Sequence, residues 1–130
     1  MNRKGFAERC REVCAAHDWE LLPTGILVQW GDGRRQLVRL EIFDADRQSL
    51  VRLSTTIGDV GVLDRERLVL ALETNADLAH GALAIQSGQL CMTETLLLEA
   101  ADVEELEASI DFLARRADEY ERTLFGTDDH

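Results

Sequence analysis

What this chain is shortest of is positive charge in its second half. Residues 61–130 hold five basic side chains against sixteen acidic ones, a balance of −11 that equals the net charge of the whole protein. Residues 1–60 are balanced, nine against nine. Binding to nucleic acid rests on clustered Lys and Arg that release counterions, so no nucleic-acid partner is expected, and no docking on an anionic membrane surface. Long apolar runs are missing too: no window approaches the ~18 residues that a membrane span requires. The basic start at Met1 to Phe6 is interrupted at once by Glu8, Arg9, Arg11 and Glu12, which argues against a secretory signal. Cysteine is sparse and odd in number, three with no framework spacing, so a reducing compartment and a cytoplasmic location are expected.

Reactive centres are equally scarce. Ser49, Ser54, Ser87 and Ser109 occupy strand, turn or helix positions, none in a glycine-flanked strand-to-helix elbow. His17 and His80 are the only histidines away from the terminus, and neither has a nucleophile beside it in sequence. Asp44-x-Asp46 opens like a calcium loop but has Ser49 where glycine belongs and Thr55 where glutamate belongs. The glycines sit in turns and make no phosphate cradle. Cys10, Cys14 and His17 share one helical face, and thiolate with imidazole suits zinc. Phe6 and Val13 lie on the same stripe, however, and free Cys is among the most buried residue types, so core packing is expected there instead. No metal, cofactor or catalytic residue is assigned, and the chain is not expected to be an enzyme. Glu41 and Glu94, both on strands, are the best candidates left for a carboxylate pair assembled by folding.

What the sequence does contain is clear patterning. Phe6, Cys10, Val13, Cys14 and His17 recur at helical steps over residues 3–17. Trp19 to Leu22 is a short strand closed by Pro23-Thr24-Gly25, and strands at Ile26–Trp30, Gln36–Phe43 and Ser49–Ile57 follow as an antiparallel meander. Within it Val38, Leu40 and Ile42 face one way, and Leu37, Arg39, Glu41 and Phe43 the other. Asp64 can cap a helix with inner stripe Leu68, Ala71, Leu72, Asn75 and Ala76, Leu63 and Leu68 forming a staple. Ala82–Ser87 and Leu90–Leu98 read as a hairpin around Gly88. A long final helix starts at Asp102, carries Val103, Leu106, Ile110, Leu113, Ala117, Tyr120 and Leu124 on one seam, and stops at Gly126. That seam fits either a sheet or a coiled-coil partner, and without flanking complementary charges the sheet is preferred. The expected fold is α+β in the order α-β-β-β-α-β-β-α, a twisted antiparallel sheet of about five strands with helices on one face. Residues 1–126 are read as one domain and residues 127–130 as a frayed tail.

The stretch Leu68-Val69-Leu70-Ala71-Leu72-Glu73-Thr74-Asn75, then Gly81-Ala82-Leu83-Ala84-Ile85 and Gly88-Gln89-Leu90-Cys91-Met92-Thr93, resembles the type III secretion chaperone superfamily. So does the acidic start of the last helix and its end, Ala117 to Leu124. The superfamily includes the effector chaperones and the YbjN-like proteins. The resemblance covers about half the chain well and implies an acidic cytoplasmic homodimer that wraps an extended segment of a client or effector protein. Gly58 to Leu63 lacks the proline common in effector chaperones, which keeps a YbjN-like regulatory or small-ligand-sensing adaptor as the alternative.

From the residues themselves, a meander apolar on both faces with too few helices to cover both leaves surface for a partner. Trp30, Leu37, Arg39 and Phe43 are the residues expected to contribute to that contact. Asn75 is expected to satisfy backbone groups near the helix end.

Overall fold

The computed structural model describes residues 3–126. Its elements run α1 (Arg3–His17), β1 (Glu20–Leu22), β2 (Gly25–Gln29), β3 (Arg35–Ala45), β4 (Gln48–Asp59), α2 (Arg65–Asn75), β5 (Ala82–Gln86), β6 (Gln89–Leu97) and α3 (Val103–Tyr120). A 3-10 turn at Val60–Val62 leads into α2, and a π turn at Glu121–Phe125 ends the last helix. The fold is α+β, with the strands in one antiparallel sheet ordered β1-β2-β3-β4-β6-β5. The sheet has six strands rather than about five. The one beyond that count is the three-residue β1, which matches the short strand read at Trp19 to Leu22 and is folded back by Pro23-Thr24 so that Leu22 lies opposite Gly25. The expected frayed tail lies outside the described residues.

Turn chemistry sets the register. Asp46-Arg47 (φ 53° and 65°) and Ser87-Gly88 (φ 51° and 78°) both place two residues at positive φ, the geometry that matches strand twist in a two-residue hairpin. Gly25 is fixed for another reason. A Cβ there would stand 2.8 Å from the Arg39 Cα and closer still to the Val38 carbonyl, so β2 crosses β3 where only glycine fits. Both later helices start on the expected caps: Asp64 accepts from the Arg67 N–H at 2.9 Å and Asp102 from the Glu105 N–H at 2.8 Å. Gly126 closes the chain's last helical turn in the left-handed conformation at φ 62°.

The apolar core lies on one side of the sheet. Ile26, Val28, Val38, Val51, Leu53, Leu83 and Met92 all point that way and are buried. Above them sit Phe6, Cys10, Val13 and Cys14 from α1, and Leu106, Ile110, Leu113 and Ala117 from α3, with Leu124 just beyond it. The α3 seam therefore packs on the chain's own sheet and is not a coiled-coil surface. His17 departs from the α1 stripe. It is exposed, stacks on Trp19 at 4.3 Å, and reaches Glu107 at 2.8 Å, because the helix ends there and Asp18 turns the chain at φ 63°.

The inner stripe expected for α2 is only half right. Ala71 is buried and Leu68 packs on the core, but Leu72 is 71% exposed and Ala76 is exposed. The helix lies against the edge strand β5 instead of over the sheet. Asn75 makes the joint: its amide donates to the Leu83 carbonyl at 3.0 Å and accepts from the Leu83 N–H at 2.7 Å. It thus satisfies strand backbone and not the helix end.

Between β3 and β4 the pairing ends at Arg39 opposite Ser54. Further along, the Gln36 amide donates to Thr55 Oγ1 at 2.7 Å and to the Thr56 carbonyl at 2.8 Å, while Thr55 donates to the Leu37 carbonyl at 2.7 Å. Side chains hold that stretch where the ladder stops. This explains Thr55, a fully buried polar residue in an apolar core.

Candidate functional site

Three surfaces offer themselves to a partner. The first is the sheet face that no core residue lines. Alternation puts Leu27, Leu37, Arg39, Glu41 and Phe43 here, with Leu50, Arg52 and Thr56 from β4 and Cys91, Thr95 and Leu97 from β6. Its polar groups are tied down. Arg39 donates to Thr56 Oγ1 at 3.0 Å and approaches Cys91 Sγ at 3.8 Å, and Arg52 lies over the Phe43 ring at 4.5 Å and donates to Thr95 at 3.4 Å. Cys91 is buried beneath this layer and apart from the main core. The face is thus a mixed surface of flattened arginines on apolar groups, with Leu37 and Phe43 half-buried and Leu97 44% exposed.

The second is a groove of about 300 Å³ on the helix side, between α1 and the outer strands. Phe6, Ala7 and Cys10 form one wall, and Leu21, Leu40 and Ile42 the other. Burial in this apolar setting pushes the Cys10 thiol up to about 11, Cys14 adding to the effect and Arg9 and Arg11 opposing it; burial also raises Cys14. Both thiols are free but inert at neutral pH. The groove runs beside the outer edge of β1. Because Leu22 and Gly25 close a two-residue turn, it is Leu21 whose N–H and C=O face outwards, and Leu21 is 41% exposed.

The third surface surrounds α2. Val69 and Leu72 lie one turn apart on its outer side, and Val62 before the helix is 69% exposed and Ile85 on β5 57% exposed. Leu72, Val62 and Ile85 are the three most exposed large apolar residues described, and none of the patch was expected from the sequence to contact a partner. The signal was present: Leu68-Val69-Leu70-Ala71-Leu72 is an unbroken apolar run, more than one buried stripe of a short helix can use.

The four residues expected to form one contact do not lie together. Leu37, Arg39 and Phe43 share the open face, while Trp30 lies across the sheet, packed on the core with Arg115 at 5.6 Å over its ring. The loop carrying it is pinned to α3 by Arg34 and Asp118 at 2.6 Å, with Arg122 reaching the same carboxylate at 3.1 Å. Of the two carboxylates considered for chemistry, Glu41 is exposed opposite Arg52, and Glu94 lines a cleft beneath α3 near His80 and Glu105. Among the described residues no group of three His, Cys, Asp or Glu side chains is placed to hold a metal ion. Likewise, no described helix is long and apolar enough to cross a membrane.

No family model matches the chain, and no curated protein does. Solved structures do. The chain is similar to one in the crystal structure of the ExsC–ExsE complex, with a TM-score of 0.67 at 16% identity over 95% of this chain and 97% of that one. It is also similar to one in the HopA1–SchA chaperone–effector complex, with a TM-score of 0.60 at 10% identity over 90% and 93% of the two chains. At such identities the likeness is one of architecture, and the architecture is a type III secretion chaperone-like fold.

Proposed function

We propose that this protein is a non-catalytic, chaperone-like module that holds an extended segment of a client protein. The observation that carries the reading is the apolar groove beside the open edge of β1. An extended peptide can pair its backbone with Leu21 while placing alternate side chains between α1 and β3. The remaining side chains would then point over the opposite face, where Leu37, Arg39 and Phe43 extend the contact. Trp30 lies on the other side of the sheet and would meet a separate part of the client. The likeness to chains from two protein–protein complexes supports a protein partner.

The reading includes a homodimer in which the patch around α2 is covered by a second copy, since solitary proteins rarely leave such residues together in water. It also takes residues 1–126 as one domain and the cytoplasm as its compartment, in keeping with three free thiols. The −11 charge would keep a client complex soluble and attract a basic client segment. The YbjN-like ligand-sensing alternative has one observation in its favour, the cleft beneath α3.

The test is a scan of peptides from proteins that co-purify with the native chain, read by calorimetry. A single extended peptide should bind, and Leu21→Asp with Leu40→Asp should abolish binding while leaving the fold intact by circular dichroism. Binding indifferent to both substitutions would move the client elsewhere, and the absence of any binding segment would refute the chaperone reading.

A further inference from the structure

The cleft beneath α3 plays no part in the client reading, and its chemistry is specific. It is a hollow of about 350 Å³, at the small end of the range for small-molecule sites. Glu94 rises into it from β6, on the helix side of the sheet, with Leu96 two residues on. Glu105, Ser109 and Phe112 come from α3 at helical spacing, and His80 closes one side with its ring edge-on to Phe112 at 6.1 Å.

Two features set it apart from an ordinary acidic surface. Glu94 is half-buried beside apolar groups and has no ion-pair or hydrogen-bond partner among the described residues. Its carboxylate oxygens stay open to the cleft, where a cation can meet them. Ser109 is only 9% exposed, yet its hydroxyl also lacks a partner among the described residues. A serine inside a helix commonly returns its hydroxyl to the carbonyl one turn back. Here the hydroxyl lines the cleft without that bond.

Two carboxylates, a hydroxyl and an aromatic ring over an apolar floor make a receptor for a small organic cation. Anions are repelled. A metal lacks a placed set of three ligands among the described residues. The Phe112 ring, with Arg116 over it at 5.3 Å, supplies an apolar wall for an alkyl chain. We infer that the cleft between β6 and α3 binds a primary alkylammonium group, the ammonium between Glu94, Glu105 and the Ser109 hydroxyl and the methylenes against Leu96 and Phe112. Such a group is supplied either by a free aliphatic diamine or by a lysine side chain of another protein.

The experiment titrates the whole chain with 1,5-diaminopentane, with Nα-acetyl-lysine methylamide and with uncharged 1-pentanol, read by amide NMR shifts and calorimetry. Diaminopentane should saturate the protein with shifts centred on Glu94, Glu105 and Ser109, and pentanol should not. Glu94→Gln should weaken binding at least tenfold and Ser109→Ala about threefold, while Glu8→Gln, which removes an exposed charge on α1, should change nothing. Should Glu94→Gln fail to fold, Glu105→Gln carries the same comparison. Tighter binding of the diamine assigns the site to a free amine, and equal binding of the lysine derivative assigns it to a partner's lysine. No saturation by about 10 mM, or equal weakening by Glu94→Gln and Glu8→Gln, overturns the inference.

Discussion

Replacing Asn75 with alanine should loosen the β5 edge in a way that can be followed at a single amide. The hairpin closed by Ser87-Gly88 has Gln86 and Gln89 exchanging backbone bonds, and the same holds at Ala84–Cys91 and Ala82–Thr93. Leu83 and Ile85 therefore turn their N–H and C=O away from β6. At Leu83 the Asn75 amide takes both, at 2.7 and 3.0 Å. Two partly buried bonds at roughly 1 kcal/mol each put the loss near 2 kcal/mol, or roughly 8 °C in Tm for a chain of this size. Asn75→Asp should do no better at neutral pH, since a carboxylate oxygen would face the Leu83 carbonyl. Urea titration gives the energy, and hydrogen exchange should show the Leu83 amide losing protection more than the Met92 amide opposite it. A loss below about 0.5 kcal/mol, or unchanged Leu83 exchange, would mean that water replaces the side chain at no cost and that Asn75 does not fasten α2 to the sheet.

Gly25→Ala should cost about 3 kcal/mol or prevent folding, because the new Cβ meets β3 backbone that cannot step aside, whereas Gly31→Ala, with open space around it, should be close to neutral; chemical denaturation separates the two. Leu72→Glu should leave monomer stability within about 0.5 kcal/mol and abolish self-association measured by light scattering; an unchanged dimer would place the interface elsewhere. Cys10 binds its proton more tightly in the folded chain than in the unfolded one, so the folded state holds more protons above pH 9. Stability should therefore fall as pH climbs from 9 towards 11, by at most about 1.4 kcal/mol per pH unit from this group, and Cys10→Ala should flatten that limb of the pH profile.

Much of the architecture was legible because local signals agree with each other. Asp64 and Asp102 announce helix starts, Gly126 an end, and the α3 seam at 3-4 spacing requires one long buried stripe. The β3 alternation assigned Val38 and Leu37 to opposite faces correctly. The site was less legible. Trp30 reads as one more large apolar group on an early strand, and only pairing shows that it and Val28 share the helix side while Leu37 does not. Leu72 was assigned inwards because a wheel cannot tell a helix laid on a sheet from one laid along its edge. The cleft was invisible for a plainer reason: Glu94 and Ser109 are fifteen positions apart and meet only once α3 crosses β6.

The short ladder between β3 and β4 gives the sheet a built-in pivot. Seven backbone pairs join the two strands, and the glutamine at position 36 latches the remainder. The outer wing of β1, β2 and the first residues of β3 can tilt against the rest by releasing the side-chain bonds of Gln36, Thr55 and Arg39 and the Arg34–Asp118 pair, with no rung of the sheet broken. A groove bounded by Leu21 of that wing and by Leu40 and Ile42 of the fixed ladder is adjustable in width, so one scaffold can grip segments of differing bulk, with the latch residues deciding how far it yields.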